Sequence, residues 1–217
     1  MTEGDSARKV GRRRLRSRRV RTLLAAGLVF GIGSFATLAA WTDTENATGT
    51  FGASIFGTES ATTPALNYAS NTTAPGAALT FSATAMSPNT PVYAWMNVRT
   101  TATTNVAGTV SLTGVAAPGP LAPALQYRAV RMTAAHPGGA CNGTAFTEGT
   151  PAFIVGNATT WVPVTTTAPT PVVASQIGAG GAAIGYCFEV RIPAGTADAF
   201  QGTTTTVTWT FTSTSNS

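Results

Sequence analysis

The stretch TTTTVTWTFTST, residues 203–214, has the clearest secondary-structure pattern in this chain. Val207, Trp209 and Phe211 alternate with hydroxyl residues, so apolar and polar side chains fall on opposite faces of an extended backbone. β-Branched and aromatic residues also favour strands over helices. The stretch therefore predicts a strand with one face in a core and the other in water.

Similar segments recur along the chain and are separated by stretches rich in Gly, Pro, Thr and Asn. They lie at residues 50–56, 78–85, 91–100, 108–115, 125–132, 152–155, 161–164 and 186–192. Strands with one apolar face bury it by packing sheet on sheet, so the pattern predicts an all-β fold, an antiparallel β-sandwich. The number of strands leaves open a jelly roll and an immunoglobulin-like topology.

The N-terminal part of the chain has a different composition. A basic block precedes the apolar run TLLAAGLVFGIGSFATLAA at residues 22–40, which ends in small residues. A positive flank, an apolar segment and a small-residue end are typical of a secretory signal. We therefore expect an N-terminal signal helix within residues 1–40 and a single secreted domain at residues 41–217.

Two other interpretations of this segment stay open. The apolar run is nearly long enough to span a bilayer, so an uncleaved membrane anchor is possible. The pair Arg18-Arg19 is also compatible with a twin-arginine export signal. Either way, the only expected contact with a membrane is through the uncleaved signal segment.

The segment RRVRTLLAAGLVFGIGSFATLAAWTDTENATGTFGASIF, residues 18–56, resembles the alternate signal peptides of proteins processed by the SipW type of signal peptidase, the group that includes TasA and camelysin. The shared order is a basic block, a Gly-rich apolar run, Ala-Ala, an aromatic residue, acids, and then Thr-Phe-x-Ala. The resemblance implies cleavage after Ala40, which leaves Trp41 as the first residue and a SipW-type peptidase as a partner. Ala39 serves almost as well on small-residue grounds.

The same resemblance implies a jelly roll and fibres in which one subunit lends a strand to the next. The candidate donor lies within residues 41–59, where Phe51, Ile55 and Phe56 supply apolar side chains. Strand addition of this kind uses backbone hydrogen bonds at a free sheet edge.

Charge is distributed unevenly along the chain. The formal net charge is +5, but residues 1–40 hold nine cations and two acids, and residues 41–217 hold four cations and six acids. The expected mature protein is therefore nearly neutral, at −2, and contains no lysine. We expect no nucleic-acid partner, because such proteins present basic surfaces.

The two cysteines, Cys141 and Cys187, both follow the signal segment. In an exported chain a disulfide between them is the default expectation. A metal site is the alternative, but structural zinc needs four ligands and His136 is the only histidine.

Residues that carry out catalysis are scarce. His136 has no second histidine or nearby aspartate, and the chain lacks His-Glu-x-x-His and Gly-x-Ser-x-Gly motifs. We therefore expect no enzyme activity, no cofactor and no metal site. A hydrolase that depends on His136 is the least favoured interpretation.

These observations predict a secreted structural protein of the cell surface or biofilm matrix that self-associates. The alternative is a secreted binding module or adhesin that recognises a glycan or a surface partner through aromatic residues such as Tyr93, Trp95 and Trp161.

Overall fold

The computed structural model describes Thr50 and residues 52–73, 76–81 and 85–216. The predicted signal helix, the cleavage residues Ala39, Ala40 and Trp41, and the candidate donor residue Phe51 lie outside the described residues. From Gly52 onward the chain forms one compact unit. Its strands are β1 (Thr58–Ala61), β2 (Val92–Thr100), β3 (Gly108–Ala116), β4 (Gln126–Arg131), β5 (Ala152–Val155), β6 (Val162–Pro163), β7 (Ala174–Ile177), β8 (Ala183–Arg191) and β9 (Thr208–Ser215).

The strands form two antiparallel sheets. The larger sheet has the order β1-β2-β8-β4-β5, and β6 also pairs with β4. The smaller sheet has the order β7-β3-β9. Three short 3-10 turns, Ala122–Ala124, Gly143–Phe146 and Asp198–Phe200, lie in the connections. The predicted all-β antiparallel sandwich is confirmed.

Several of the strand pairs are nested along the chain. β2 pairs with β8, β3 pairs with β7, and β4 pairs with β5 and β6. The β4–β8 and β3–β9 pairs cross this nesting, because β4–β8 interleaves with β3–β7 and β3–β9 interleaves with β2–β8.

The main core lies between the two sheets. Tyr127, Tyr186 and Phe188 of the larger sheet and Val110 and Leu112 of the smaller sheet are at most 1% exposed. Full burial of one such side chain contributes roughly 1.5–3 kcal/mol. Alternation along β2, β4 and β8 directs every second side chain into this core, as the sequence predicts.

Two predicted strands are wrong where the structure describes them. Residues 52–57 have no regular structure, and the first strand is β1, which lies in a segment that we expected to be a loop. Residues 78–81 and 85 are also irregular, although Leu79 and Phe81 pack on the core. Neither segment joins a strand ladder, although Phe56, Leu79 and Phe81 are partly buried, so alternation alone does not make a strand.

Like β1, β7 was not predicted as a strand. β7 has the sequence ASQI, and its buried face carries Ser175 and Ile177. A serine on the inner face removes the apolar alternation from which a strand is recognised.

Candidate assembly edges and the aromatic outer face

The segment before β1 is bound to the connection between β2 and β3. The Ile55 backbone N–H donates to Asn105 Oδ1 at 2.8 Å, and the Asn105 N–H donates to the Ile55 carbonyl at 3.1 Å. The Gly57 carbonyl accepts from the Thr101 N–H at 2.9 Å and from Thr104 Oγ1 at 3.0 Å. The segment is thus fixed at its C-terminal end by a loop and not by a strand ladder.

The candidate donor residues have different environments. The Ile55 side chain is 54% exposed, the largest value among the exposed large hydrophobic residues of the described chain. Phe56 is half-buried, and its ring lies where a Cβ on Gly108 would be, so Gly108 is needed for this packing. Thr58 and Glu59 belong to the protein's own larger sheet, so a donor segment ends before β1.

The edge formed by β1 is covered. A β-bridge joins Ser60 to Ala69, and Asn71 Nδ2 donates to Ser60 Oγ at 2.9 Å. Across the pair, Arg99 binds Glu59 at 2.9 Å. A covered edge that also carries charge resists the addition of another strand.

β9 forms the edge of the smaller sheet. Its outer face carries exposed threonines, and its inner face carries the half-buried Trp209 and Phe211. Along the described chain no backbone hydrogen bond reaches its outer edge, and one side-chain bond, from Thr58 Oγ1 to Ser213 Oγ at 3.1 Å, connects it to β1. β9 is therefore the longest open edge of the described sandwich.

A disulfide fixes the long loop between β4 and β5 to the outer face of the larger sheet. Cys141 in this loop is bonded to Cys187 of β8, as predicted. The loop brings Phe146 onto Val130, Met132 and Cys187, which together form a second, smaller core. The outer face of this sheet is therefore covered by protein where the loop crosses it.

His136 stands on the same loop and is held in place by its neighbours. Its ring stacks on Trp95 with 4.0 Å between ring centroids, and its backbone N–H and carbonyl both bind the side chain of Asn97. Within the described residues there is no group of three or more His, Cys, Asp or Glu side chains that could hold a metal ion. The arrangement gives His136 an anchoring role for the loop.

An ion pair is buried beneath the loop. Arg128 and Glu189 are 7% and 3% exposed and bind each other, while Tyr93 Oη donates to the second carboxylate oxygen of Glu189 at 3.1 Å. Burial, and then the adjacent Glu189 carboxylate, raise the pKa of Tyr93 to about 12. Loss of one partner from such a pair leaves a buried charge without compensation.

The Trp161 ring contacts two guanidinium groups. The Cζ atoms of Arg128 and Arg191 are 4.5 and 3.9 Å from its ring centroid. Arg128 also donates to the carbonyl of Ala158 at 2.8 Å, which fixes the turn before Trp161. Tyr93, Trp95 and Trp161, which the adhesin alternative needs as contact residues, are therefore only partly exposed and already bound to groups of their own domain.

A surface hollow lies beside the disulfide-bonded loop. It has a volume of about 540 Å³ and is lined by Arg131, Glu148 and neutral side chains such as Thr133, Thr144 and Pro151. Its lining residues include no serine, cysteine, lysine or histidine. The part of the chain that the structure describes also holds no helix of the length and apolarity needed to cross a membrane.

A scan against models of known protein families finds no match to this chain, and a search among curated proteins finds no similar sequence.

Proposed function

We propose that this protein is an exported structural subunit of the cell surface or biofilm matrix that self-associates into fibres once its leader is removed. The observation that carries the proposal is the placement of Ile55. Ile55 is a large apolar residue that is 54% exposed, and the backbone of its segment is hydrogen-bonded to a loop of its own domain and not to a strand. Such a segment has apolar surface to offer to a second subunit.

The disulfide supports an oxidising location outside the cytoplasm. Bonds of this kind persist in secreted and surface proteins and are rare in reducing compartments. Cys187 is fully buried and Cys141 is partly buried, so the disulfide lies largely inside the protein, as expected of a structural disulfide. We propose secretion through the signal segment, with cleavage after Ala40 by a SipW-type peptidase.

The mode of association that we propose is strand addition by residues 41–56. Cleavage would create a free end at Trp41, and the segment that follows carries Phe51, Ile55 and Phe56. The near-neutral surface of the expected mature protein would oppose close packing of subunits only weakly.

The test compares two single substitutions of exposed apolar residues in the protein that begins at Trp41. Ile55→Asp places a charge in the proposed donor segment, and Val172→Asp makes the same chemical change at a residue that is 50% exposed on the loop before β7. Electron microscopy and sedimentation over a concentration series measure assembly. We expect filaments from the unaltered protein and from Val172→Asp, and few or none from Ile55→Asp.

A deletion of residues 41–54 should also abolish filaments, because it removes most of the proposed donor segment. It leaves the Ile55 and Gly57 hydrogen bonds and β1 intact, so the domain should still fold. Circular dichroism confirms that each variant keeps its fold. Filaments from the deletion variant would exclude this donor segment. A monomer at every concentration for the unaltered protein would favour the adhesin alternative.

A further inference from the structure

Among the described residues, β9 differs from the other edge strands in that no charge, proline or paired segment protects it against pairing. Natural sheets protect their edges with charges, proline, short length or a covering segment. β1 has the Ala69 bridge and Glu59, β5 and β7 are four residues long, and β6 contains Pro163. β9 has eight residues with the sequence TWTFTSTS, without charge, proline or glycine.

The inner side of β9 is also incompletely covered. Trp209 and Phe211 face the core and contact Phe188 and other core rings, but both remain partly exposed. The Trp209 indole N–H and the Tyr127 hydroxyl are buried, and neither has a hydrogen-bond partner among the described residues. The side of β9 that faces the core therefore still presents part of two aromatic side chains to solvent.

We propose that β9 pairs antiparallel with β9 of a second copy of this chain around a two-fold axis. The smaller sheets of the two copies would then join into one sheet of six strands. The pairing requires no N-terminal donor segment, so it is independent of the proposed fibre. It uses the backbone groups of the open edge, and neither partner brings a charge that would be repelled.

The sequence of β9 suits this self-pairing. Opposed residues in an antiparallel pair must share a face, so inner residues have to meet inner residues. With the axis at Phe211, each Phe211 faces its counterpart, Trp209 faces Ser213, and Thr210 faces Thr212. Aromatic pairs and threonine pairs are among the favourable cross-strand contacts.

Two double variants on the exposed outer face test this register. Thr210→Lys with Thr212→Lys places lysine opposite lysine twice across the axis. Thr210→Lys with Thr212→Glu places lysine opposite glutamate at the same two positions. Both variants remove the same hydrogen bond between the Thr113 and Thr212 hydroxyls, so they differ from each other only in the sign of the charge at position 212.

The measurement is sedimentation over a concentration series, carried out in the Ile55→Asp background, with light scattering for mass. We expect the Ile55→Asp protein to form a dimer, and the variant with Thr210→Lys and Thr212→Glu to retain it. The variant with two lysines should raise the dimer Kd by about tenfold or more. A monomer throughout for the Ile55→Asp protein would overturn the proposal, and so would equal weakening by both double variants. Filaments of the otherwise unaltered protein without a β9 dimer would refute this inference alone and leave the fibre proposal standing.

Discussion

At the scale of single residues, the phenol of Tyr127 is the most unusual group in the core. Its side chain is 0% exposed, its hydroxyl has no partner among the described residues, and its ring lies 5.9 Å from that of Trp209. Burial raises the pKa of this phenol well above its ordinary value. The neighbouring Tyr186 hydroxyl donates to the Val110 carbonyl at 3.4 Å, and burial raises its pKa to about 12.

These tyrosines predict a loss of stability in alkali. The unfolded chain releases the phenol protons near pH 10, and the folded protein retains them, so stability is constant below pH 10 and falls above it. Tyr127→Phe removes one such proton and one unsatisfied hydroxyl but keeps the ring. We expect the free energy of unfolding at pH 8 to be unchanged or slightly higher. At pH 11 it should exceed that of the parent by about 1.4 kcal/mol.

Urea titrations of both proteins at pH 8 and pH 11 measure this difference. Identical pH dependence in the parent and Tyr127→Phe would mean that the Tyr127 phenol does not resist ionisation in the fold.

Residue-scale contacts were only partly predictable from the sequence. The disulfide followed from the presence of two cysteines in an expected exported chain. Alternation placed Arg128 and Glu189 on the outer faces of their strands, but it did not show that these strands are neighbours. The Arg128–Glu189 ion pair, and the contacts of two guanidinium groups with Trp161, depend on the β4–β8 register, which no local pattern encodes.

At the scale of elements, the strands with long apolar alternation were predictable, and the short polar strands were not. β2, β4 and β8 each place one alternating apolar set in the main core, and β9 packs Trp209 and Phe211 against that core. β1 has the sequence TESA, which contains no alternation of large apolar residues from which a strand could be predicted. It is held to β2 by a strand ladder and by the Glu59–Arg99 ion pair. Because strands were recognised by alternating apolar residues, the irregular segments that contain Leu79 and Ile55 were also predicted to be strands.

The loop between β4 and β5 is the element whose position depends most on one covalent bond. It covers the outer face of the larger sheet, and Phe146, which is 0% exposed, anchors it over the buried ion pair. The Cys141–Cys187 bond closes a segment with a sequence separation of 46 residues. In the chain-entropy model such a closure contributes about 4 kcal/mol to stability.

Replacement of both cysteines by alanine should therefore lower the free energy of unfolding by about 4 kcal/mol. Hydrogen exchange should rise first in the turn at Gly143–Phe146, because β2, β4 and β8 keep their ladders. Denaturant titration and exchange mass spectrometry measure the two effects. If exchange rose equally in β8 and in the loop, the disulfide would support the whole sandwich and not this loop.

At the scale of the whole molecule, the sandwich was predictable as a class but its topology was not. Strands with one apolar face bury that face when two sheets pack together, and the sequence contains enough such strands to form two sheets. The nested pairing of β2 with β8 and β3 with β7 joins segments separated by long stretches of chain, and such pairings depend on the complete core. The open edge at β9 is likewise a property of the assembled sheets and is invisible in the sequence of β9 alone.

The central claim of this account is that the molecule offers backbone edges and apolar segments to copies of itself once its leader is removed. Cryo-electron microscopy of the protein that begins at Trp41, at rising concentration, tests it most directly. The account predicts filaments in which each subunit keeps its nine strands and gains one from residues 41–56 of a neighbour. Single particles at every concentration, or filaments without that added strand, would contradict it.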